Sequence, residues 1–314
     1  MPRQMRREFA GAIYQVMNRG DRREEIFRSS RDLRLFLATL TDACGKTGWQ
    51  IHAYCLMRNH FHLVLETPQP NLVAGMKWLL GVYTKRFNIR HKWCGHLFAG
   101  RYKALLVDGS GDGYLNTVCD YVHLNPVRAK LLRSDEPLET FKWSSYGQYG
   151  KPAKERCPWL RVEPLLGEKG IAKDNRAGRA EFVRQMEHRR LEEGAADYGA
   201  VRRGWCLGRE EFREDMLAAE ADNVGANHYG ADRFETSQEK ARRIMVQELR
   251  RLGWKESQLR LRRKGDRHKV QLARRLRAET TMTLAWVAEH LHMGSWGYVS
   301  NLLKGKATSI NVED

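Results

Sequence analysis

Ile51-His-Ala-Tyr-Cys-Leu-Met-Arg-Asn-His-Phe-His-Leu-Val-Leu-Glu66 places two histidines one residue apart inside an apolar run. Side chains on a β-strand alternate with a period of two, so His60 and His62 share one face while Phe61, Leu63 and Leu65 take the other. Met57-Arg58-Asn59 separates two strand-like runs, Ile51 to Leu56 and Phe61 to Glu66, which reads as a β-hairpin whose second arm opens on the histidine pair. A neutral imidazole is the commonest side-chain metal ligand. A His-x-His in a strand is also an ordinary surface or packing feature, so the spacing alone leaves both readings open.

Working outward, residues 9–17 form a short β-like run ending at the turn signal Asn18-Arg-Gly-Asp21. Ser29 and Ser30 offer an N-cap before Leu33, Leu35, Phe36, Leu37 and Leu40, and Gly45 offers a stop. Asn71 can cap a second helix, in which Met76, Leu79, Leu80, Tyr83 and Phe87 recur at helical spacing beside Lys85, Arg86 and Arg90. Gly100-Arg-Tyr-Lys-Ala-Leu-Leu-Val107 reads as a fourth strand. The order strand, helix, strand, strand, helix, strand is the ferredoxin-like split βαβ pattern, an α+β fold. It predicts one antiparallel sheet of four strands, the hairpin strands central, helices on one face and the histidines on the other.

Beyond the glycine-rich segment 108–113, a third helix runs from Tyr114 to Asn125 and is stopped or kinked by Pro126. Leu115, Val118, Cys119 and Val122 make its apolar stripe, and Tyr114, Tyr121 and Asn125 cluster about 90° around from it. Those three therefore lie at the rim of the buried face. The glycines predict a hinge on which this helix docks and departs.

The chain has 314 residues, enough for two domains or one large one with appendages. No run approaches the roughly 18 apolar residues that would span a bilayer, and the N-terminus has no apolar segment of a secretion signal. A soluble, cytoplasmic protein with no membrane partner is expected. Six cysteines without a Cys-x-x-Cys pair exclude a zinc ribbon or thioredoxin-type motif. The net charge of +17 is carried in two blocks, +9 over residues 1–150 and +12 over 240–278, with −2 over 151–239 between them. Concentrated positive charge is the electrostatic footprint of nucleic-acid binding. Three regions follow: 1–150, a connector with helical stretches over 151–235, and a basic helical region over 236–314. The last ends in a helix-turn-helix, where Leu284, Val287, Ala288 and Leu291 face a second helix capped by Ser295 and carrying Val299, Leu302 and Leu303. Trp296, Tyr298, Ser300 and Asn301 would point outward as DNA contacts.

Ile13-Tyr14, Asn18-Arg-Gly20, His52-Ala-Tyr54, Leu56-Met57, Asn59-His-Phe-His-Leu63, Gly95-His-Leu-Phe98, Gly100-Arg-Tyr-Lys103 and Tyr121-Val-His-Leu-Asn-Pro-Val-Arg128 occur in this order. Together they resemble the REP-associated tyrosine transposases, a bacterial branch of the single-tyrosine HUH transposases. The resemblance is dense over residues 8–150. It implies His60 and His62 as metal ligands, Tyr121 as nucleophile and Asn125 as a third ligand, which agrees with the helical spacing of four. It further implies Mg²⁺ or Mn²⁺ as cofactor, a 5′-phosphotyrosine intermediate, single-stranded DNA beside short REP-like hairpins as substrate, and a monomer rather than a dimer.

Two imidazoles and an amide oxygen leave about half an octahedral shell for water and phosphate oxygens. A phenol with an unperturbed pKa of about 10 is a weak nucleophile at neutral pH, and a nearby cation and basic surround favour its ionised form. Tyr114 and Tyr102 are the rival nucleophiles, and Glu66 shares the face of His62 and could orient a ligand. His52 and His96 read as structural or DNA-contacting, and Arg101, Lys103 and Arg128 as DNA contacts. Two other functions compete with an enzyme: a catalytically silent DNA-binding regulator on the same fold, and an RNA-binding ferredoxin-like module.

Overall fold

The computed structural model describes residues 7–133, 135–192, 198–221 and 237–304. β1 (Ala12–Arg19) leads through α1 (Ser30–Thr47) into the hairpin β2 (Gln50–Met57) and β3 (His60–Thr67), and α2 (Leu72–His91) leads to β4 (Lys103–Val107). The expected turn at Asn18 is still strand, and the expected strand from Gly100 starts three residues later, at Lys103. The sheet order is β2-β3-β1-β4-β5, where β5 (Cys206–Leu207) adds a parallel strand beyond β4. The sheet therefore has five strands and is mixed rather than four-stranded and antiparallel.

Only one hairpin arm is central. The crossover through α1 leaves a gap beside β1, and β3 fills it, which pushes β2 to the edge. That edge is not bare: Leu56 N donates to Trp143 O at 2.9 Å, Ser145 N to Tyr54 O at 2.9 Å, and Ile51 N to Trp159 O at 2.9 Å. A covered edge cannot recruit a foreign strand.

α1 and α2 bury the Phe61 face, where the Phe36 ring lies 4.9 Å from that of Phe61 and 5.0 Å from that of Tyr83. Ser29 and Asp32 close a capping box at the start of α1. The helix runs past Gly45 to Thr47 because the left-handed residue that ends it is Gly48, at φ 75°. Asn71 holds two elements together instead of capping its own helix: its Nδ2 donates to Thr47 O at 2.8 Å, and its Oδ1 accepts from Trp49 Nε1 at 2.7 Å.

The histidine face, expected to lie away from the helices, is covered by α3 (Tyr114–His123). α3 breaks at Leu124, and the four-residue α4 (Asn125–Arg128) takes Pro126 in its first turn, where the missing N–H costs nothing. The predicted single helix to Asn125 is thus two pieces. Next come α5 (Tyr146–Tyr149), α6 (Glu163–Glu168), α7 (Arg176–Leu191), α8 (Gly199–Arg203) and α9 (Glu210–Ala221). These elements pin α3 from outside. Lys169 Nζ lies 2.9 Å from Asp120 Oδ1, His123 Nε2 lies 2.8 Å from Ser145 Oγ, and Asn116 N donates to Glu168 Oε2 at 2.7 Å. The first hydrophobic core runs from Ala12 to Cys206, so the segment expected as a connector supplies the third layer of the same body.

The glycine-rich segment before α3 is tied down as well. Asp108 N donates to Leu207 O at 2.8 Å, and the Asp108 carboxylate accepts from Ser110 N at 3.0 Å and Arg209 N at 3.3 Å. Gly111 and Gly113 hold φ of 93° and 82°. They serve a fixed turn, which accounts for them without a hinge.

A second core gathers α10 (Ser237–Arg251), α11 (Gln258–Leu261), α12 (Arg267–Glu279), α13 (Leu284–His290) and α14 (Trp296–Lys304). Lys269, buried within it, donates to Arg262 O at 3.2 Å and His292 O at 3.3 Å and so fastens the turn between α13 and α14. The two bodies meet through paired lysines at helix ends. Lys46 Nζ donates to the carbonyls of Arg277, Ala278 and Thr280 at the end of α12, and Lys240 Nζ donates to Lys46 O at 3.2 Å. Among the described residues, no helix is long and apolar enough to cross a membrane.

Candidate active site

Register partners in antiparallel strands point to one face, so Lys103, Met17, His62 and Cys55 form one row across the sheet and Arg19, His60 and Met57 the next. The His60 and His62 ring centroids are 5.1 Å apart. Tyr121 on α3 faces them from above, its ring 5.6 Å from that of His62 at an interplanar angle of 81°. The rival Tyr102 is buried beside the start of β4, and Tyr114 sits two turns away at the start of α3.

Both imidazoles are held neutral. Burial, reinforced by Arg19, lowers His60 to about 4. Burial also holds His62 well below its ordinary value, helped by His60, Arg128 and Arg19. Each ring is gripped at Nδ1. Asn59 donates through Nδ2 to Arg23 O at 3.0 Å, which turns its Oδ1 to His60 Nδ1 at 2.7 Å. His60 Nδ1 must then carry the proton, leaving the Nε2 lone pair free. At His62 the partner is the Gln15 amide, 3.0 Å from Nδ1. The amide nitrogen faces the ring and donates to Nδ1, so the neutral ring carries its proton on Nε2; turning the amide end for end would move that proton to Nδ1 and bare Nε2.

Asn125 opens α4, one helical turn beyond Tyr121. It is buried, and its Nδ2 has no hydrogen-bond partner among the described residues. A buried amide without a partner is costly unless something else satisfies it. No group of three or more His, Cys, Asp or Glu residues that could hold a metal occurs among the described residues, so a metal here would rest on two imidazoles and this amide.

Two neighbours of Tyr121 had no reading, or a different one, in the sequence. Arg128 places its guanidinium 4.1 Å from the centre of the Tyr121 ring and 4.9 Å from that of Tyr198, and donates to Tyr121 O. Tyr198 packs its ring 5.2 Å from Tyr121. Arg128, expected to contact DNA, is thus engaged with the tyrosine itself. Glu66 is also engaged elsewhere, 3.4 Å from His52 Nε2 and 3.2 Å from Arg161 Nη1. Arg101, Lys103 and His96 are exposed.

Residues 9–125 match the family model described as Transposase IS200 like. This segment is similar to IS200-like transposases. The matched part contains β1 to β4, the histidine pair, Tyr121 and Asn125. Arg128 and Tyr198 lie beyond the matched residues. A solved structure, a REP-associated tyrosine transposase bound to a REP hairpin, is similar to the chain at 14% identity and a TM-score of 0.39, over 47% of this chain and 84% of that one. No curated protein matches the chain.

Proposed function

We propose that this protein is a metal-dependent endonuclease and strand transferase that cuts and rejoins single-stranded DNA beside short REP-like hairpins, with Tyr121 as its nucleophile. The observation that carries the reading is the Tyr121 ring against His62, on a helix packed over the chain's own sheet. That cis arrangement suits a monomer.

His60, His62 and the Oδ1 of Asn125 would hold Mg²⁺ or Mn²⁺, and the residues suit such an ion: two neutral imidazoles engaged at Nδ1, and a buried amide one helical turn from Tyr121. Bound there, the ion supplies Lewis-acid polarisation and alignment of the scissile phosphate. The Tyr121 phenol oxygen attacks phosphorus and gives its proton to solvent. The bond from phosphorus to the 3′ oxygen breaks, and that oxygen takes up a proton to leave as a 3′-OH. The 5′ phosphate stays on Tyr121. A 3′-OH from another strand attacks the same phosphorus and returns the phenol, so joining needs no external energy source.

Further DNA contacts fall to Arg101 and Lys103 beside the histidine row and to the exposed face of α14. There Trp296 and Tyr298 are 64% and 43% exposed, and Asn301 joins them, on a helix of the strongly basic second body. The test is incubation with labelled hairpin-flanked single-stranded DNA and Mn²⁺, followed by denaturation. A covalent adduct absent from Tyr121→Phe and from His60→Ala is expected. No adduct across a broad set of hairpins would favour a DNA-binding regulator without chemistry.

A further inference from the structure

Away from the histidine face, the outer surface of α1 and α2 carries a cleft lined by Arg31, Arg34, Leu35, Arg86, Ile89 and Arg90. Two of its four guanidinium groups are anchored. Arg86 donates to Thr39 Oγ1 at 2.7 Å and Asp42 Oδ2 at 2.9 Å, and Arg90 donates to Asp32 Oδ1 at 2.9 Å. The Asp32 carboxylate is already spent: it also accepts from the backbone of Arg28 and Ser29 and from His91. Arg31 and Arg34 are exposed and have no carboxylate within ion-pair distance among the described residues. The cleft is therefore cationic, with an apolar floor of Leu35 and an Ile89 that is 69% exposed.

Its position matters as much as its charge. α1 begins at the end of the sheet where β3 begins, because Ile26 N and Phe27 N both donate to Arg58 O in the hairpin turn that precedes His60. Between Arg19, the register partner of His60, and the cleft runs a turn in which Arg22 and Arg23 are exposed and hold positive φ of 49° and 65°. The Arg23 carbonyl of this turn is the group that orients Asn59 against His60. A track of mixed charge, Arg22 and Arg23 beside the exposed Asp21 and Glu24, thus leads from the histidine pair around the end of the fold toward the cleft.

We propose that the cleft grips the sugar–phosphate backbone of a nucleic-acid duplex, the stem of the hairpin, while the single strand beside it follows the track to His60 and Tyr121. The proposal rests on the DNA-cleaving reading above. Arg31 and Arg34, with no carboxylate in ion-pair distance among the described residues, present planar guanidinium forks suited to phosphates, and an apolar floor suits the sugar faces between phosphates. An acidic protein segment would also answer the charge, but it would have no reason to sit on a track that ends at the histidine pair.

The test measures binding of a labelled hairpin with a single-stranded arm in EDTA, across a salt series, for the wild-type chain and for Arg31→Ala/Arg34→Ala. Loss of two phosphate contacts lowers the slope of log affinity against log salt by roughly 2, and affinity at low salt falls at least about tenfold. Binding of the arm without its stem stays within about twofold. Unchanged affinity and slope for the hairpin overturn the proposal, as does a loss confined to a polyglutamate peptide. Adduct formation at saturating DNA is read in parallel. Stem binding that depends on the arginines with no adduct in the wild type removes the nuclease reading and keeps the cleft. An adduct with stem binding indifferent to the arginines does the reverse.

Discussion

The guanidinium of Arg128 lies over the Tyr121 ring, 4.1 Å from its centre, and it also donates to the carbonyl of Tyr121. One side chain thus holds both the ring and the main chain of the proposed nucleophile, with the Tyr198 ring packed against both the cation and Tyr121. A cation over an aromatic face stabilises the pair by about 0.5–2 kcal/mol.

Arg128→Ala should therefore slow single-turnover adduct formation at saturating DNA by about tenfold, equivalent to about 1.4 kcal/mol. Arg128→Lys keeps the charge, loses the planar fork and should recover part of the rate. A variant that binds DNA more weakly but reacts at the full rate when saturated would make Arg128 a DNA contact instead, as its place in the sequence motif implied.

Asn59 sets the tautomer of His60 through its side chain, while its main-chain oxygen separately accepts from Gly20 N at 2.8 Å. Asn59→Ala removes the first role and keeps the second. Outer partners of metal-binding histidines are worth about 10–100-fold in affinity, so the variant should bind Mn²⁺ that much more weakly, read by calorimetry or by the metal-dependent rise in Tm. Equal Mn²⁺ affinity in the two proteins would remove Asn59 from the metal site.

The hairpin was legible because period-two alternation is a local signal, and the start of α1 because Ser29 and Ser30 offer a cap just before an apolar run of helical spacing. Gln15 was also visible in principle: it is the only amide in the run Ala12 to Met17 and falls on the histidine face. The third layer was not. Its contacts join residues far apart in sequence, Lys169 to Asp120 and Phe182 to Tyr149, and no periodicity announces them. β5 has two residues, too few to carry an alternation. Tyr198 touches Tyr121 from 77 positions away along the chain, so only the tertiary fold could bring it to the site.

Acid should destabilise the fold in a defined window. His60 is lowered to about 4, His123 to about 3 by burial and by Lys169, and His62 well below its ordinary value. In the unfolded chain these rings take up protons at about 6.5. The unfolded state then binds more protons, so their contribution is intact above that pH and is lost as pH falls toward 4. The carboxyls of Asp120 and Glu168, raised by burial, work against this slope. The informative quantity is therefore a difference: Tm should fall less steeply from pH 7.5 to 5.0 in His123→Gln than in the wild type. Parallel curves would show that His123 is not held neutral.

Lys169 and Asp120 are about 5% and 6% exposed, with Nζ 2.9 Å from Oδ1, and they join the loop after α6 to the residue just before Tyr121. Removing one partner of a buried pair strands the other charge and costs about 3–5 kcal/mol, whereas replacing both with apolar groups is often close to neutral. Lys169→Met should therefore lower stability in urea by several kcal/mol, and Lys169→Met combined with Asp120→Leu should recover most of it. Because α3 is also held by His123 and by its apolar stripe, adduct formation should return with stability in the double variant. Equal losses in the single and double variants would mean that the pair is solvated rather than buried, and that other contacts keep Tyr121 over His62.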